Sequence, residues 1–279
     1  MSKLNRDGIE FITYPQETKV AVAAAALAWE EFTQLPQVLK DRFTASQLQF
    51  SIGYERKGDG SRESKDVKEN FDLTLDGIRA LEATPHAHEI KEFLDTAKKL
   101  FTSLDPVADT FCQMVESRHD IPGFRQTATR SASNRFIRFL HYPPAPVGSV
   151  IGEAHTDHSG YTFHLYESTG GCHGLSLATN EWFDMPVDSG EMVVFGGMQL
   201  QLLSDGNIKA LCHEITANVT TATAGRFAIV CFNLLDGVPT YDRATHGRLQ
   251  DKPAGFNYSL EPTEFTSLFT PSKTLSSSK

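Results

Sequence analysis

Two histidines and one aspartate have the residue types and the spacing of a metal site. His155 and Asp157 are separated by a single threonine, and His213 follows 58 residues after His155. On a β-strand, residues i and i+2 project from the same face, so the first imidazole and the carboxylate would point together into the interior. The remaining histidine would come from a different strand. These three side chains predict a metal site built from two imidazoles and one carboxylate.

This ligand set indicates the chemistry of the site. Two histidines and a carboxylate occupy one face of an iron ion and leave the other positions open, the arrangement of non-haem Fe(II) oxygenases. A His-x-Asp motif alone is weak evidence because it occurs often by chance. An exposed polar pair at the end of a strand is the competing interpretation of His155 and Asp157. The later histidine, followed by an arginine, makes the pattern more specific.

That arginine is Arg226, thirteen residues after His213. The polar segment between them, residues 218–225, is turn-like and predicts a hairpin that would place Arg226 across from His213. A guanidinium there could form paired hydrogen bonds to a carboxylate. The competing interpretation is a surface arginine that opens a strand.

Composition restricts the class of protein. The chain has 279 residues, of which 40% are hydrophobic and 22% charged, enough apolar material for a sizeable core. Acidic residues outnumber basic residues by 35 to 26, and the net charge of −9 argues against a nucleic-acid-binding protein. The longest apolar run, residues 20–29, is far shorter than the ~20 residues of a membrane span. The polar start is not a secretory signal, so we expect a cytoplasmic protein with no membrane or nucleic-acid partner.

The cysteines and glycines do not suggest another chemistry. The cysteines have no C-x-x-C spacing, and we expect buried, reduced thiols. Cys212 adjoins His213 but should face away from the metal by strand alternation, which argues against a Cys-His nucleophile. The sequence contains neither a Gly-rich phosphate loop nor a GxSxG elbow.

The pattern of elements changes near residue 125. Before it, residues 16–35 and 87–117 have helical patterns, the second broken at Pro106, and residues 51–72 are typical of an exposed loop. After it, short β-rich runs alternate with turn residues. These runs are residues 135–142, 161–167, 175–178, 191–195, 211–217 and 226–234. Helices followed by strands predict an α+β protein with an antiparallel sandwich or barrel.

Further motifs occur in a fixed order along the chain. Gly53-Tyr54 followed by Lys68-Glu69-Asn-Phe71 is similar to a GY…KExF segment, and Arg138-Phe-Leu-His-Tyr142-Pro-Pro144 is similar to an RxNYYPP strand. The later matches are His155-Thr-Asp157, Gly170-Gly171, Trp182, Gly190, Gln199, Asp205-Gly206, His213 and Arg226. Over most of its length the chain thus resembles the isopenicillin N synthase-like group of Fe(II)/2-oxoglutarate-dependent dioxygenases.

The resemblance implies a fold and a division of the chain. It implies a double-stranded β-helix (jelly-roll) core with an N-terminal helical region packed against it. We expect one domain over residues 1–279. Within it, residues 1–125 would be mainly helical, 126–260 would form the core with the iron site, and 261–279 a C-terminal helix or tail.

The resemblance also assigns roles to residues. His155, Asp157 and His213 would bind Fe(II), while Arg226 and Tyr142 would hold the distal carboxylate of 2-oxoglutarate. The side chains expected to line the substrate site are Arg138, Leu140, Tyr54, Phe71 and His158. If Tyr142 points inward, strand alternation turns Arg138 and Leu140 inward too. Arg138 would then be either a second carboxylate anchor or the partner of an internal acid.

The implied reaction oxidises a C–H bond of a small organic molecule. O2 and 2-oxoglutarate would be consumed and succinate and CO2 released, and the outcome would be hydroxylation, desaturation or ring formation. The resemblance leans toward specialised metabolism. Residues 51–71 and 236–270 are the segments expected to cover the substrate.

Two positions depart from the family pattern. The RxS triplet reads Arg226-Phe-Ala228, and the asparagine of NYY is Leu140. Both changes fall on co-substrate contacts. They keep open an oxidase that uses the same iron site without 2-oxoglutarate. A zinc-binding or non-catalytic jelly-roll protein is the more distant alternative, and the retained arginine and tyrosine argue against it.

Overall fold

The strands form two antiparallel sheets. The computed structural model describes residues 3–44, 52–58, 67–187 and 190–270. The strands are β1 (Ile9–Thr13), β2 (Gly53–Lys57), β3 (Lys68–Leu73), β4 (Arg135–Tyr142), β5 (Val150–His155), β6 (Tyr161–Glu167), β7 (Cys172–Leu175), β8 (Trp182–Asp184), β9 (Glu191–Gly196), β10 (His213–Thr216) and β11 (Arg226–Asn233). The larger sheet has the order β1-β9-β6-β11-β4-β3-β2, and the smaller sheet β5-β10-β7-β8.

Helices cover the outer face of the larger sheet. The helices are α1 (Lys3–Asp7), α2 (Gln16–Thr33), α3 (Gln37–Lys40), α4 (Leu75–Glu82), α5 (Lys91–Ser103), α6 (Asp105–His119), α7 (Phe124–Arg130), α8 (Met198–Leu203), α9 (Val219–Ala224), α10 (Arg243–His246) and α11 (Pro262–Thr266). Trp29 on α2 donates its indole N–H to the Leu140 carbonyl at 3.0 Å. The Phe93 ring on α5 lies 5.8 Å from the Trp29 ring and 4.8 Å from Phe139. These aromatic contacts join the helices to β4.

Side chains of the larger sheet divide between two cores. On β4, Ile137 and Phe139 are fully buried in the core beneath the helices. Leu140 and Tyr142 project from the opposite face of β4. They pack with Ile215 of the smaller sheet in a second core between the sheets. This alternation, which follows from the pleat of the strand, turns one face of β4 toward the jelly-roll interior.

The predicted fold class is confirmed: an antiparallel jelly-roll core with helices packed against it. The predicted helix break is also present, since α5 ends at Ser103 and α6 begins at Asp105. Pro106 lies in the first turn of α6, where its missing N–H removes no helical hydrogen bond. Strands β4 and β6 have the predicted bounds.

Three predicted elements were wrong. Residues 51–72 are not a loop throughout, because β2 and β3 form a hairpin with Tyr54 opposite Phe71. Residues 51 and 59–66 lie outside the described ranges. The strand predicted over 175–178 is β7 and lies three residues earlier, because Ser176 opens a turn by accepting hydrogen bonds from the backbone of Ala178 and Thr179.

The predicted hairpin between His213 and Arg226 was also wrong. Asn218 accepts a hydrogen bond from the Thr221 backbone at 2.9 Å and thereby begins α9. Strand β10 belongs to the smaller sheet and β11 to the larger one. The segment therefore crosses from one sheet to the other, and both residues face the space between the sheets.

Two expectations drawn from the sequence concern reduced cysteines and membrane-spanning helices. The four cysteines are all described, buried and without disulfide bonds. Among the described helices, none combines the length and the apolar character needed to cross a membrane.

Candidate active site

His155, Asp157 and His213, hereafter the triad, lie together at one end of the smaller sheet. His155 is the last residue of β5 and pairs directly with His213, the first residue of β10. The two rings are 4.5 Å apart. One ligand atom from each triad residue lies within 4.8 Å of the others. The triad therefore places two nitrogens and one oxygen within reach of a single ion.

Each imidazole of the triad is oriented by a hydrogen bond between its Nδ1 and a backbone carbonyl. His155 Nδ1 lies 2.6 Å from the Glu153 carbonyl and His213 Nδ1 lies 3.3 Å from the Leu211 carbonyl. A carbonyl only accepts, so each Nδ1 carries a hydrogen, and Nε2 is the ring nitrogen left to bind a metal. Burial, together with the neighbouring His213, lowers the pKa of His155, which favours the neutral imidazole that a metal ligand requires.

The carboxylate is held from a loop. Asp157 follows β5 instead of lying on it, so the same-face argument from strand geometry was wrong for this residue. The Met198 backbone donates to the Asp157 carbonyl at 2.8 Å, and the Thr162 hydroxyl donates to Oδ2 at 2.6 Å. The remaining oxygen, Oδ1, lies 3.7 Å from His155 Nε2 and 3.9 Å from His213 Nε2.

These donors fit a divalent metal ion. Two neutral imidazoles and one carboxylate, each oriented by a further hydrogen bond, are the set that non-haem Fe(II) sites use. All three triad residues line one cavity.

The cavity lies between the two sheets and has a volume of about 70 Å³. Apolar atoms make up most of its lining surface, although nine of the seventeen lining side chains are polar or charged. The lining residues are Lys68, Arg138, Leu140, Tyr142, Gly152, His155, Asp157, Thr162, His164, Cys172, Phe195, His213, Ile215, Arg226, Ala228, Val230 and Phe232. A cavity with apolar walls and convergent polar groups is typical of a binding site for a small molecule.

Arg226 lies at the start of β11, directly opposite Tyr142 on β4. Gly225 precedes it with φ of +77°, and a Cβ there would lie 2.6 Å from the Tyr142 carbonyl, so only glycine allows this approach. The Arg226 guanidinium lies 5.8 Å from the Tyr142 ring centre. Its Nη2 donates to Glu167 Oε2 at 2.6 Å. The arginine thus faces the cavity while it pairs with an internal acid.

Arg138 also lines the cavity and pairs with an acid. Its Nε and Nη2 donate to the two oxygens of Asp72 at 2.7 and 2.6 Å. The guanidinium lies 5.8 Å from the Phe136 ring and 5.5 Å from the Phe232 ring. This pairing matches the second of the two roles predicted for Arg138.

The other predicted substrate residues are divided. Leu140 lines the cavity, as the alternation of β4 predicts. Tyr54 and Phe71 do not line it, because their side chains face the helices and pack on Phe32. His158, which directly follows Asp157, is not among the residues that line the cavity. Its ring centre lies 5.2 Å from that of Tyr241.

Three residues near the site were not predicted. Thr162 orients Asp157, Glu167 pairs with Arg226, and His164 lines the cavity with an Nε2 that has no hydrogen-bond partner within the described residues. Strand alternation could have turned Thr162 and His164 inward together. It could not have found Glu167, because the register of β6 shifts between His164 and Glu167.

Residues 133–234 match the model of the 2OG-Fe(II) oxygenase superfamily. Feruloyl CoA ortho-hydroxylase 2 of Arabidopsis thaliana is 26% identical over 198 residues, which cover 68% of this chain. They cover 53% of the hydroxylase, so the chain spans about half the length of that relative. The 2-oxoglutarate-dependent dioxygenase caaD of Aspergillus niger is 27% identical over 225 residues, which are 74% of this chain and 67% of caaD.

Solved structures share the fold. A putative 2OG-Fe(II) oxygenase family protein from Caulobacter crescentus superimposes with a TM-score of 0.71 at 20% identity, covering 95% of this chain and 90% of the other. The dioxygenase for auxin oxidation 1 of Arabidopsis thaliana, in complex with 2-oxoglutarate, gives a TM-score of 0.63 at 17% identity, covering 84% and 86%. These structures show a shared fold. The resemblance predicted from the sequence is confirmed by the match of residues 133–234, which contain the triad and Arg226, to the 2OG-Fe(II) oxygenase superfamily model.

Proposed function

We propose that this chain is an Fe(II)/2-oxoglutarate-dependent dioxygenase that oxidises a C–H bond of a small organic molecule. The observation that carries the proposal is the convergence of the triad and Arg226 on one cavity. A site for a metal ion and a site for a carboxylate then lie within one cavity. Such an arrangement suits a co-substrate that must touch both.

Fe(II), 2-oxoglutarate and O2 supply the oxidising chemistry when they are bound, with succinate and CO2 as by-products. The triad would hold the metal, and the Thr162 hydroxyl would keep Asp157 in its orientation. Arg226 and the Tyr142 hydroxyl would donate hydrogen bonds to the distal carboxylate of 2-oxoglutarate.

Apolar side chains close the space around these groups. Leu140, Phe195, Ile215 and Val230 line the cavity and leave water few partners there. Exclusion of water strengthens the polar contacts and prevents side reactions of a strong oxidant. The cavity wall thus directs oxidation to a bound substrate.

The cavity is also lined by Arg138 and Phe232, whose guanidinium and ring centre are 5.5 Å apart, and by Lys68, whose Nζ lies 5.6 Å from the Tyr142 ring centre. An aromatic ring beside a guanidinium, whose charge is partly balanced by Asp72, suits a planar molecule with an acidic or carbonyl oxygen. The position of its C–H bond would decide between hydroxylation, desaturation and ring formation. The names of the relatives support a role in specialised metabolism. The buried free cysteines favour the cytoplasm.

A second candidate is an oxidase that uses the same metal site without 2-oxoglutarate. Two observations favour it: Ala228 supplies no hydroxyl beside the arginine, and Arg226 is already paired with Glu167. A screen of small aromatic acids, read out by O2 consumption and succinate release, separates the two. We expect one succinate for each substrate oxidised, whereas an oxidase would consume O2 and release none.

A further inference from the structure

A buried ion pair lies at the carboxylate end of the cavity. The Arg226 and Glu167 side chains are 1% and 4% exposed, and Nη2 donates to Oε2 at 2.6 Å. The other carboxylate oxygen, Oε1, accepts from the Val187 backbone at 3.1 Å. Both oxygens of Glu167 are therefore fixed, and the acid is held against the arginine.

Glu167 reaches this position through a β-bulge. In β6, His164 pairs with Val230 and Glu167 pairs with Ala228, so β6 has one residue more than β11 over this stretch. The extra residue reverses the alternation, and Glu167 joins His164 on the inner face. The Leu165 carbonyl at the bulge accepts a hydrogen bond from the Tyr14 hydroxyl. The bulge thus places the Glu167 carboxylate on the inner face of the sheet, beside Ala228.

Glu167 reduces the electrostatic attraction between Arg226 and a negatively charged ligand. A buried arginine without a partner would be costly, and Glu167 compensates that charge in the absence of any ligand. His164 adds no charge, because burial and the nearby Arg226 lower its pKa. A carboxylate arriving at Arg226 would meet an arginine whose charge is already balanced, with a negative group just behind it.

We propose that Glu167 is a specificity-determining residue that weakens the hold of Arg226 on the distal carboxylate of the keto-acid co-substrate. This inference rests on the proposed function. It follows that the protein discriminates less between 2-oxoglutarate and a keto acid without a distal carboxylate than Arg226 alone would.

The test compares the Fe(II)-loaded wild type with Glu167→Gln. Each protein is titrated under anaerobic conditions with 2-oxoglutarate and with 2-oxobutyrate, which lacks the distal carboxylate. The visible charge-transfer band of a chelated keto acid gives the Kd. Glu191→Gln, an exposed acid on β9, is the matched control.

Glu167→Gln should tighten binding of 2-oxoglutarate by about tenfold or more, because it removes a negative charge beside the bound carboxylate. The Kd for 2-oxobutyrate should change less than about twofold, and Glu191→Gln should change neither Kd. Equal shifts for both keto acids, or weaker binding of 2-oxoglutarate, would overturn the role of Glu167.

Two further readouts come from the same titrations. If Glu167→Gln does not fold, the wild type alone decides: we expect 2-oxoglutarate to bind no more than about tenfold tighter than 2-oxobutyrate. A preference above about a hundredfold overturns the inference. Absence of the band with both keto acids in both proteins would contradict the co-substrate itself and the inference with it.

Discussion

His155 and His213 lie directly opposite each other on the antiparallel strands β5 and β10, with their ring centres 4.5 Å apart. A one-residue slip in register would turn one of the two imidazoles to the other face. Gly152 on β5 lies opposite Ile215 and allows the two strands to approach closely, because a Cβ there would lie 2.8 Å from the Ile215 side chain. The metal site therefore depends on how two strands pair as much as on three residue types.

His213→Ala should abolish Fe(II) binding and activity, because two protein ligands cannot hold the ion on one face as three do. Isothermal titration with Fe(II) under anaerobic conditions measures the loss. His246→Ala is the matched control, since this half-buried histidine lies on α10, outside the triad, and its ring bonds the Ser267 carbonyl. Continued O2 uptake with succinate release in His213→Ala would contradict the triad assignment.

Thr162→Val should weaken Fe(II) binding by about 10- to 100-fold while the protein stays folded. Valine has nearly the shape of threonine but cannot donate to Asp157 Oδ2, so the carboxylate loses its orientation. The same anaerobic titration measures the affinity. An unchanged Kd would mean that the backbone contact from Met198 alone fixes Asp157.

Arg226→Lys should weaken 2-oxoglutarate binding by roughly three- to tenfold and leave Fe(II) binding unchanged. Lysine keeps the charge but not the planar set of donors that binds a carboxylate in pairs. Arg138→Lys serves as the comparison, because Arg138 also lines the cavity and is paired with Asp72. A larger loss in Arg138→Lys than in Arg226→Lys would identify Arg138 as the carboxylate anchor.

Sequence patterns predicted the parts of the site that depend on strand alternation. They placed Arg138, Leu140 and Tyr142 on one face of β4, which is where the structure has them. They did not place Glu167, because a bulge in β6 reverses the alternation between His164 and Glu167. Bulges depend on tertiary contacts such as the Tyr14 hydrogen bond, which no local pattern encodes.

Other errors have the same origin in long-range contacts. Tyr54 and Phe71 were assigned to the substrate site from their motif, yet both pack against Phe32 of α2. The turn-like composition of residues 218–225 indicated a hairpin, although Asn218 instead begins a short helix between the sheets. Local composition marks where the chain leaves a strand but not which sheet it enters next.

Glu69 should make the stability of the protein depend on acid pH. Burial alone would raise the pKa of its carboxyl, but hydrogen bonds from His141, Lys40 and Tyr54 outweigh burial and lower that pKa to about 2. The ordinary value is 4.5, so the carboxylate stabilises the fold above pH 4.5, and this contribution is lost as the pH falls toward 2. Its size is on the order of 3 kcal/mol.

Urea unfolding of wild type and Glu69→Gln measures this contribution. The wild type should be more stable at pH 7, and the difference should shrink as the pH falls from 4.5 toward 2. Glu55→Gln, on the neighbouring strand β2, should cost less than about 1 kcal/mol because its ion pair with Lys57 is partly exposed. A difference for Glu69→Gln that stays constant with pH would contradict the prediction.

The central claim is that the triad and Arg226 together bind a metal ion and 2-oxoglutarate. Anaerobic addition of Fe(II) and then 2-oxoglutarate to the wild-type protein tests it directly. We expect a visible charge-transfer band that needs both additions and is absent from His155→Ala. A wild-type protein that binds Fe(II) but shows no band at any 2-oxoglutarate concentration would contradict the claim.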